Sequence, residues 1–474
     1  MHDTLKKIKK VVFSTDYDAD GISCSVVGVT VLKAMGKDIV HILLNNEVPR
    51  GVSDVVIDKT LSKTKEDESF IFLTADHGSS DMERYVRLKK ERPNVVIIMT
   101  DHHLIQDEKY LEETVDYIIN PQYSKSDMNK AYSGCNVLYK LLEPFTDDAM
   151  KSELLPIVTF ANLVDQMDMS NEENRKTYRD AISHMENHHV FQTLLKATFK
   201  KKMHDRWLLM NVGPLINSSH RLGRPDIAYH FFMGNTNYIN LLKAFNKDRK
   251  EQTALLYDML QKQVKANKHV LKNVMLLVNP TDNASFNGLV AGRIGNDINL
   301  PTFVLTRSND VLKGSARAIQ KIPLMDILDY INSKSNCLVH YAGHHAACGV
   351  AIKNDVDSIK EFVKYFDEYI EMNKIFYVKS EGGIGLDPRK IRDKVNDIEK
   401  GRPYGQGNPY PVFKSKFTVS SVKGFKFISK IYTEETDAEM IHFKPFNKKR
   451  GDTFVSQYTI EIDDRISLTA NDIK

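Results

Sequence analysis

Three short apolar runs in the first hundred residues each end in acid or imidazole groups, and this arrangement constrains the fold most. Lys10-Val11-Val12-Phe13 leads into Asp16-Tyr17-Asp18-Ala19-Asp20-Gly21, and Phe70-Ile71-Phe72-Leu73 leads into Thr74-Ala75-Asp76-His77. Val95-Val96-Ile97-Ile98-Met99 leads into Thr100-Asp101-His102-His103. Continuous apolar runs rich in β-branched residues read as strands buried on both faces of a parallel sheet. In open α/β sheets, ligands bind beyond the carboxyl ends of such strands. Asp165, in an apolar helical stretch, offers a further carboxylate. Carboxylates crowded at one edge repel each other unless a cation sits among them. The pattern predicts a metal site, for two ions.

The rest of the chain organises around that sheet. Residues 10–120 alternate strand and helix, with a helix over 22–35 closed by Gly36, a strand over 39–44, and a helix opened by Ser80-Asp81. Repeated βαβ units imply a doubly wound parallel sheet. Ser133-Gly134 opens a further helix, and Asp165 lies in the next. Residues 236–272 are charged, lack Gly and Pro, and carry apolar residues at helical spacing, which predicts one long connector helix. A second α/β pattern runs over 273–375 and includes Tyr341-Ala342-Gly343-His344-His345-Ala346-Ala347-Cys348-Gly349. The expected division is 1–235 for the catalytic domain, 236–272 for the connector, 273–375 for a second α/β domain, 376–410 for a linker and 411–474 for a small β-domain. That tail interleaves Phe413, Lys414, Lys416, Phe417, Lys423, Phe425, Lys426, Phe427, Lys430 and Tyr432, followed by Phe443 and Phe446. It reads equally as an ordinary barrel with a lysine-rich face and as a single-strand-binding barrel, where aromatics stack bases and lysines follow phosphates.

Composition narrows the partners. A chain of 474 residues suggests two to four domains, and its net charge of +4 restricts any nucleic-acid surface to a local groove. Cys24, Cys135, Cys337 and Cys348 have no Cys-x-x-Cys spacing and read as reduced core residues, neither disulfide staples nor zinc ligands. The apolar run after the basic N-terminus is too short for a signal-peptide core, and none approaches the ~18 residues that span a membrane. A cytoplasmic protein without membrane contact is expected.

Asp-x-Asp-x-Asp-Gly also opens a calcium EF-hand loop, but such a loop needs a Glu where Val27 stands and a helix, rather than a strand, before it. Asp20 as a helix N-cap is compatible with metal binding. Mixed Asp and His ligands suit Mn²⁺ or Mg²⁺, and a pair of such ions suits hydrolysis of a phosphoester or phosphoanhydride. His188-His189 sits in a polar helical stretch and reads as solvated surface.

The ordered motifs Asp-Tyr-Asp-Ala-Asp-Gly, Thr-Ala-Asp-His and Asp-His-His, with Asp165, resemble the DHH phosphoesterase superfamily. Gly-His-His-Ala-Ala-Cys-Gly is similar to the signature of its DHH-associated second domain. Gly213 to Gly223, with its Asn-x-x-x-Arg segment, the Asn246-Lys247-Asp248-Arg249-Lys250 stretch and the Tyr-Gly-Gln-Gly-Asn-Pro-Tyr-Pro-Val-Phe entry to an OB-fold resemble the RecJ-type single-strand exonucleases. The resemblance implies that Asp16, Asp18, Asp20, Asp76, His102 and Asp165 bind metal. It implies that Asp101 orients the imidazoles and His103 faces the scissile phosphate. Asn217, Arg221, Arg293, Arg317, Gly343, His344 and His345 are implied in substrate binding. The implied activity is 5′-to-3′ hydrolysis of single-stranded DNA to mononucleotides in repair, recombination or replication, with a helicase or single-strand-binding protein as partner class. Two rivals are a small-substrate DHH phosphodiesterase and a non-catalytic replication scaffold. Ser14 stands where the family usually has a His, which predicts a weaker hold on one ion. Ala342 replaces a family glycine, and the short tail predicts a reduced barrel.

Overall fold

Each β-branched run of the first hundred residues becomes a buried strand. The structure, a computed structural model, describes residues 1–45, 50–267, 271–319, 322–375, 382–424, 428–463 and 465–473. It divides into two units: Met1–Leu242 with Glu381–Lys474, and Lys243–Ser380.

In the first unit, β1 (Lys10–Thr15), β2 (Asp38–Leu43), β3 (Phe70–Ala75), β4 (Val95–Thr100) and β5 (Tyr117–Ile119) form one sheet. Their order is β2-β1-β3-β4-β5, and every pair is parallel. The winding reverses between β1 and β3, the switch point where doubly wound sheets bind ligands. The helix Ala19–Ala34 is buried on nearly every side because it packs against the helices Gly134–Leu142 and Asp148–Val164 as well as the sheet. Small residues permit this packing: a Cβ on Gly28 would lie 2.4 Å from the Phe13 ring.

The second unit carries β6 (Met275–Asn279), β7 (Thr302–Ser308), β8 (Val311–Arg317), β9 (Leu338–His344) and β10 (Ala347–Lys353) in the order β6-β7-β8-β10-β9. Only β6 and β7 pair in parallel; the remaining pairs of this sheet are antiparallel. The long helix spans Ile239–Asn267 after a short 3₁₀ turn, and residues 268–270 of the expected span lie outside the described residues. Its buried Leu256, Leu260 and Val264 recur every four residues, one apolar stripe.

The C-terminal strands are β11 (Ile384–Gly385), β12 (Phe413–Gly424), β13 (Ser429–Thr433), β14 (Glu439–His442), β15 (Thr453–Ile462) and β16 (Ile466–Ile473). β12 pairs with both β13 and β15, and β14 pairs in parallel with β16, which closes a five-stranded barrel of OB type. The short tail predicts a reduced barrel, yet all five strands are present. Phe413 and Phe417 point into its core beside Phe454 and Tyr458, so for these two rings the bland reading holds. Phe425, Lys426 and Phe427 lie outside the described residues. Tyr432 is half-buried under the Lys423 ammonium (5.8 Å), and Phe443 is 61% exposed.

The turn-rich segment around Gly401-Arg402-Pro403 is packed rather than loose. Buried Arg402 pairs with fully buried Asp205, which also accepts from the Tyr404 N–H. Arg175 donates to the carbonyls of Gly401 (3.2 Å) and Arg402 (3.0 Å). Among the described residues, no helix is long and apolar enough to cross a membrane.

Candidate metal centre

The sheet ladder itself lines up the acids. Asp16 N–H donates to Ala75 O, Asp76 N–H to Thr100 O and Asp101 N–H to Ile119 O, so each is the first residue past its strand and still in register. Three parallel strands thereby present carboxylates along one edge. Gly21 lets the next turn fold back, since a Cβ there would lie 2.3 Å from Asp16 O. Asp18, rather than Asp20, caps the helix Ala19–Ala34, accepting from the N–H groups of Asp20 (3.0 Å) and Gly21 (3.3 Å). Asp20 instead reaches the amino end of another helix, where Gly134 N–H (2.8 Å) and Cys135 N–H (3.0 Å) donate to its two oxygens. A carboxylate is favoured there by the unpaired amides and the helix dipole.

Asp76 adopts a left-handed backbone (φ 64°), a strained conformation that Asp tolerates better than most residues. Its carboxylate lies against Gly134, where a Cβ would come within 2.5 Å of Oδ1. Asp165, at the carboxyl end of the helix Asp148–Val164, brings Oδ2 to 3.4 Å from His102 Nε2, and that nitrogen stands 3.3 Å from Asp76 Oδ1. Ligand-type atoms of Asp16, Asp18 and Asp76 lie within 4.8 Å of one another, as do those of Asp20, His102 and Asp165.

Electrostatics register the crowding. Burial and the neighbouring Asp165 raise the Asp20 carboxyl to about 7. Burial and Asp18 raise that of Asp165 to about 7, and burial with Asp20 lifts Asp76 well above the usual range. Burial raises Asp16 too, against the pull of Arg50. At Asp18 the burial penalty is outweighed by Arg50, whose Nη2 stands 3.3 Å from Asp18 and 3.7 Å from Asp16, so its carboxyl titrates low. Arg50 is a residue that sequence reasoning missed. It follows no motif, and its Nε donates to Tyr17 OH (2.9 Å).

Asp101 organises the double histidine. One oxygen accepts from His102 N–H (2.7 Å), His103 N–H (3.3 Å) and His103 Nδ1 (2.7 Å), and the other from Ser79 N–H (3.1 Å). It therefore orients one imidazole, that of His103, and only the backbone of His102. Burial lowers the His103 pKa, but Asp101 more than offsets this and holds it at about 9. His102, buried and next to His103, is held below the usual histidine value.

Asn217 Oδ1 accepts from Ala19 N–H (3.0 Å) and so braces the Asp18 turn. A π-helical turn, Leu208–Val212, precedes its helix Gly213–Arg221, at whose end Arg221 is half-buried. Ser14 Oγ stands 3.1 Å from His77 Nε2, both side chains buried. In the second unit, Arg293 lies over the Tyr257 ring at 3.8 Å, and Arg317 packs where Gly288 has no Cβ. Gly343 (φ 138°) shapes the β9–β10 hairpin, whose exposed tip is His344-His345. His188 corrects the surface reading: it is buried, its Nδ1 caps the helix His189–Ala197 by accepting from Val190 N–H (3.3 Å), and its Nε2 meets Glu153 (3.2 Å).

The donor set fits a hard divalent cation. Carboxylates with one imidazole are the ligands of Mn²⁺ and Mg²⁺ sites, and Asp165 Oδ2 is buried with no hydrogen-bond partner. That oxygen stands 3.4 Å from His102 Nε2 without a hydrogen bond, a cost that a cation beside it would offset.

A family profile described as DHH family, N-terminal domain, matches residues 10–164. The single-stranded-DNA-specific exonuclease RecJ of Haemophilus influenzae is 22% identical over 449 residues, covering 87% of this chain and 75% of that protein. RecJ of Escherichia coli is 22% identical over 453 residues, covering 88% and 76%. Among solved structures, RecJ from Thermus thermophilus in complex with Mn²⁺ matches with a TM-score of 0.77 at 18% identity, over 100% of this chain and 70% of that one. An exonuclease RecJ bound to manganese matches with a TM-score of 0.61 at 19% identity, over 79% and 94%.

Proposed function

We propose that this chain, whose residues 10–164 form a DHH-family N-terminal domain, is a metal-dependent phosphodiesterase that shortens single-stranded DNA from its 5′ end, releasing mononucleotides. The observation that carries the reading is the carboxylate cluster at the β1/β3 switch point, with its buried orphan oxygen on Asp165. Asp16, Asp18, Asp20, Asp76, Asp165 and His102 are the residues that would hold two Mn²⁺ or Mg²⁺ ions. Such ions supply charge neutralisation at the phosphoryl oxygens and lower the pKa of an attacking water. The relatives named single-stranded-DNA-specific exonuclease RecJ and the solved RecJ structure in complex with Mn²⁺ support a metal-dependent single-strand exonuclease.

The chain's own groups have separable tasks. His103 keeps its proton at neutral pH because Asp101 holds Nδ1, and its ring is 39% exposed, so it can donate to an anionic phosphate. Asn217 and Gly21 fix the Asp16–Asp20 turn from two sides. Arg293 and Arg317 are substrate contacts on this reading, as are Arg221, His344 and His345. Gly343 sets the hairpin that presents the two histidines. The setting is intracellular DNA repair, recombination or replication beside a helicase or single-strand-binding protein.

The test is a titration of Mn²⁺ and Mg²⁺ against a 5′-labelled single strand, the matching duplex and a dinucleotide. Metal-dependent release of labelled mononucleotide from the single strand, with the duplex resistant, is expected. Preference for the dinucleotide selects the small-substrate reading, and no hydrolysis of any substrate overturns both.

A further inference from the structure

Behind the carboxylates lies a second cluster of different chemistry. Cys24 follows Asp20 by one turn of the helix Ala19–Ala34, and Cys135 is the second residue of the helix Gly134–Leu142 that packs against it. Ligand-type atoms of Asp20, Cys24 and Cys135 lie within 4.8 Å of one another, all three residues are buried, and neither cysteine is in a disulfide. The arrangement is stiff, since Asp20 is clamped by the N–H of Cys135 as well as that of Gly134.

We propose that Asp20, Cys24 and Cys135 form a site for a thiophilic divalent cation of the zinc and cadmium class, and that filling it inhibits hydrolysis. Thiolates select softer cations than the oxygen cluster does, and two sulfurs with one carboxylate oxygen match a zinc-type donor set that leaves one position exchangeable. Binding forms two metal–sulfur bonds and releases the two thiol protons to solvent. The inhibition rests on the reading of Asp20 as part of the hydrolytic centre. A cation held by this carboxylate and the sulfurs competes with the hydrolytic ion for the oxygens that Asp20 shares with His102 and Asp165 in the oxygen cluster. The binding itself rests only on the three side chains.

The test uses the full-length, reduced, Mn²⁺-loaded protein titrated with Cd²⁺. Thiolate-to-cadmium ultraviolet absorption should saturate at one ion per chain, and cadmium NMR of the wild-type protein should report two sulfur ligands. Cys24→Ser and Cys135→Ser should each weaken binding by at least about tenfold, whereas Cys337→Ser and Cys348→Ser should leave it unchanged. Mn²⁺-supported hydrolysis should fall as the absorption rises, and Cys24→Ser should keep its hydrolysis at Cd²⁺ concentrations that silence the wild type. An absent band, or one that survives in the Cys24→Ser/Cys135→Ser double variant, overturns the site. Should both variants unfold, a cadmium resonance without sulfur ligation in the wild type does the same. A saturating band with undiminished hydrolysis overturns the inhibition. A band in a protein without any hydrolysis leaves the site standing and counts against the nuclease reading instead.

Discussion

Two of the chain's three double histidines, His102-His103 and His344-His345, differ in how they are held. His102-His103 follows a strand buried in a parallel sheet, next to carboxylates that burial and mutual repulsion push towards neutrality. His344-His345 forms the exposed tip of an antiparallel hairpin, and His345 Nδ1 meets Asp326 only at 3.7 Å between two largely exposed side chains. The first pair makes three hydrogen bonds to the buried Asp101; the second lies at the end of a hairpin that Gly343 shapes. The same residue types therefore do different work. The buried pair sits in a preorganised field whose cost is stored in the fold.

The largest expected effect separates the two regions most clearly. Asp76→Asn keeps the left-handed backbone and the shape of the side chain but removes a charge at the centre of the cluster. Hydrolysis should fall by about four orders of magnitude, roughly 5 kcal/mol of transition-state stabilisation. The metal-free protein should be no less stable, since repulsion is relieved. Activity within about tenfold of wild type would remove Asp76 from the centre. His345→Ala should cost about tenfold, the worth of one charge-assisted hydrogen bond, in KM rather than kcat. Its folding stability should stay within ~0.5 kcal/mol of wild type.

The pH dependence of stability sharpens the contrast. Asp20 and Asp165 have folded pKa values of about 7, above those of an unfolded chain, so the native metal-free state binds more protons than the unfolded one in that window. Metal-free stability should therefore fall as pH rises from about 4 towards 7, and the Tm gain on adding Mn²⁺ should grow over the same range. His103 runs the other way. Its pKa of about 9 gives stability that is complete below the unfolded value and is lost as pH rises through 9. Asp101→Asn should pull the alkaline limb of the activity profile down by about two pH units. A limb that does not move would mean that His103 holds no proton used in the reaction.

What was legible in the sequence follows from how local each signal is. Runs such as Phe70-Ile71-Phe72-Leu73 report their own burial, so strands, their common edge and the acids that follow them could be read directly. Asp165 was legible because an acid closing an apolar helix is conspicuous. The partners of those acids were not, because they come from far along the chain: Gly134 and Cys135 reach Asp20 from more than a hundred residues away, and Asn217 reaches Ala19 from farther still. The same distance hid the Asp205–Arg402 pair, and so made residues 401–409 look like a loose linker. In the tail, period-two alternation announced a barrel but not which face looked inward, and Phe413 and Phe417 went to the core.

The smallest expected effect concerns Ser14, where the sequence resemblance leads one to expect a histidine and so a weakly held ion. The structure puts Ser14 Oγ against His77 Nε2, at 3.1 Å and fully buried. The hydroxyl therefore already has a partner, and that partner is an imidazole delivered from the neighbouring strand end. Burial holds the His77 pKa at about 4, so the ring stays neutral at working pH and the bond is an uncharged one. Removing it in Ser14→Ala should cost about 1 kcal/mol of stability and shift the Mn²⁺ concentration for half-maximal activity by less than about threefold, under 1 kcal/mol. Ser14→His must instead displace the buried His77 ring, which stands 3.1 Å from the Ser14 hydroxyl. It should lower Tm more than Ser14→Ala does, without lowering the metal requirement. The contrary outcome is specific. If Ser14→His sharply reduces the Mn²⁺ needed, or Ser14→Ala sharply raises it, residue 14 reaches an ion directly and the Ser14–His77 bond is not its working state.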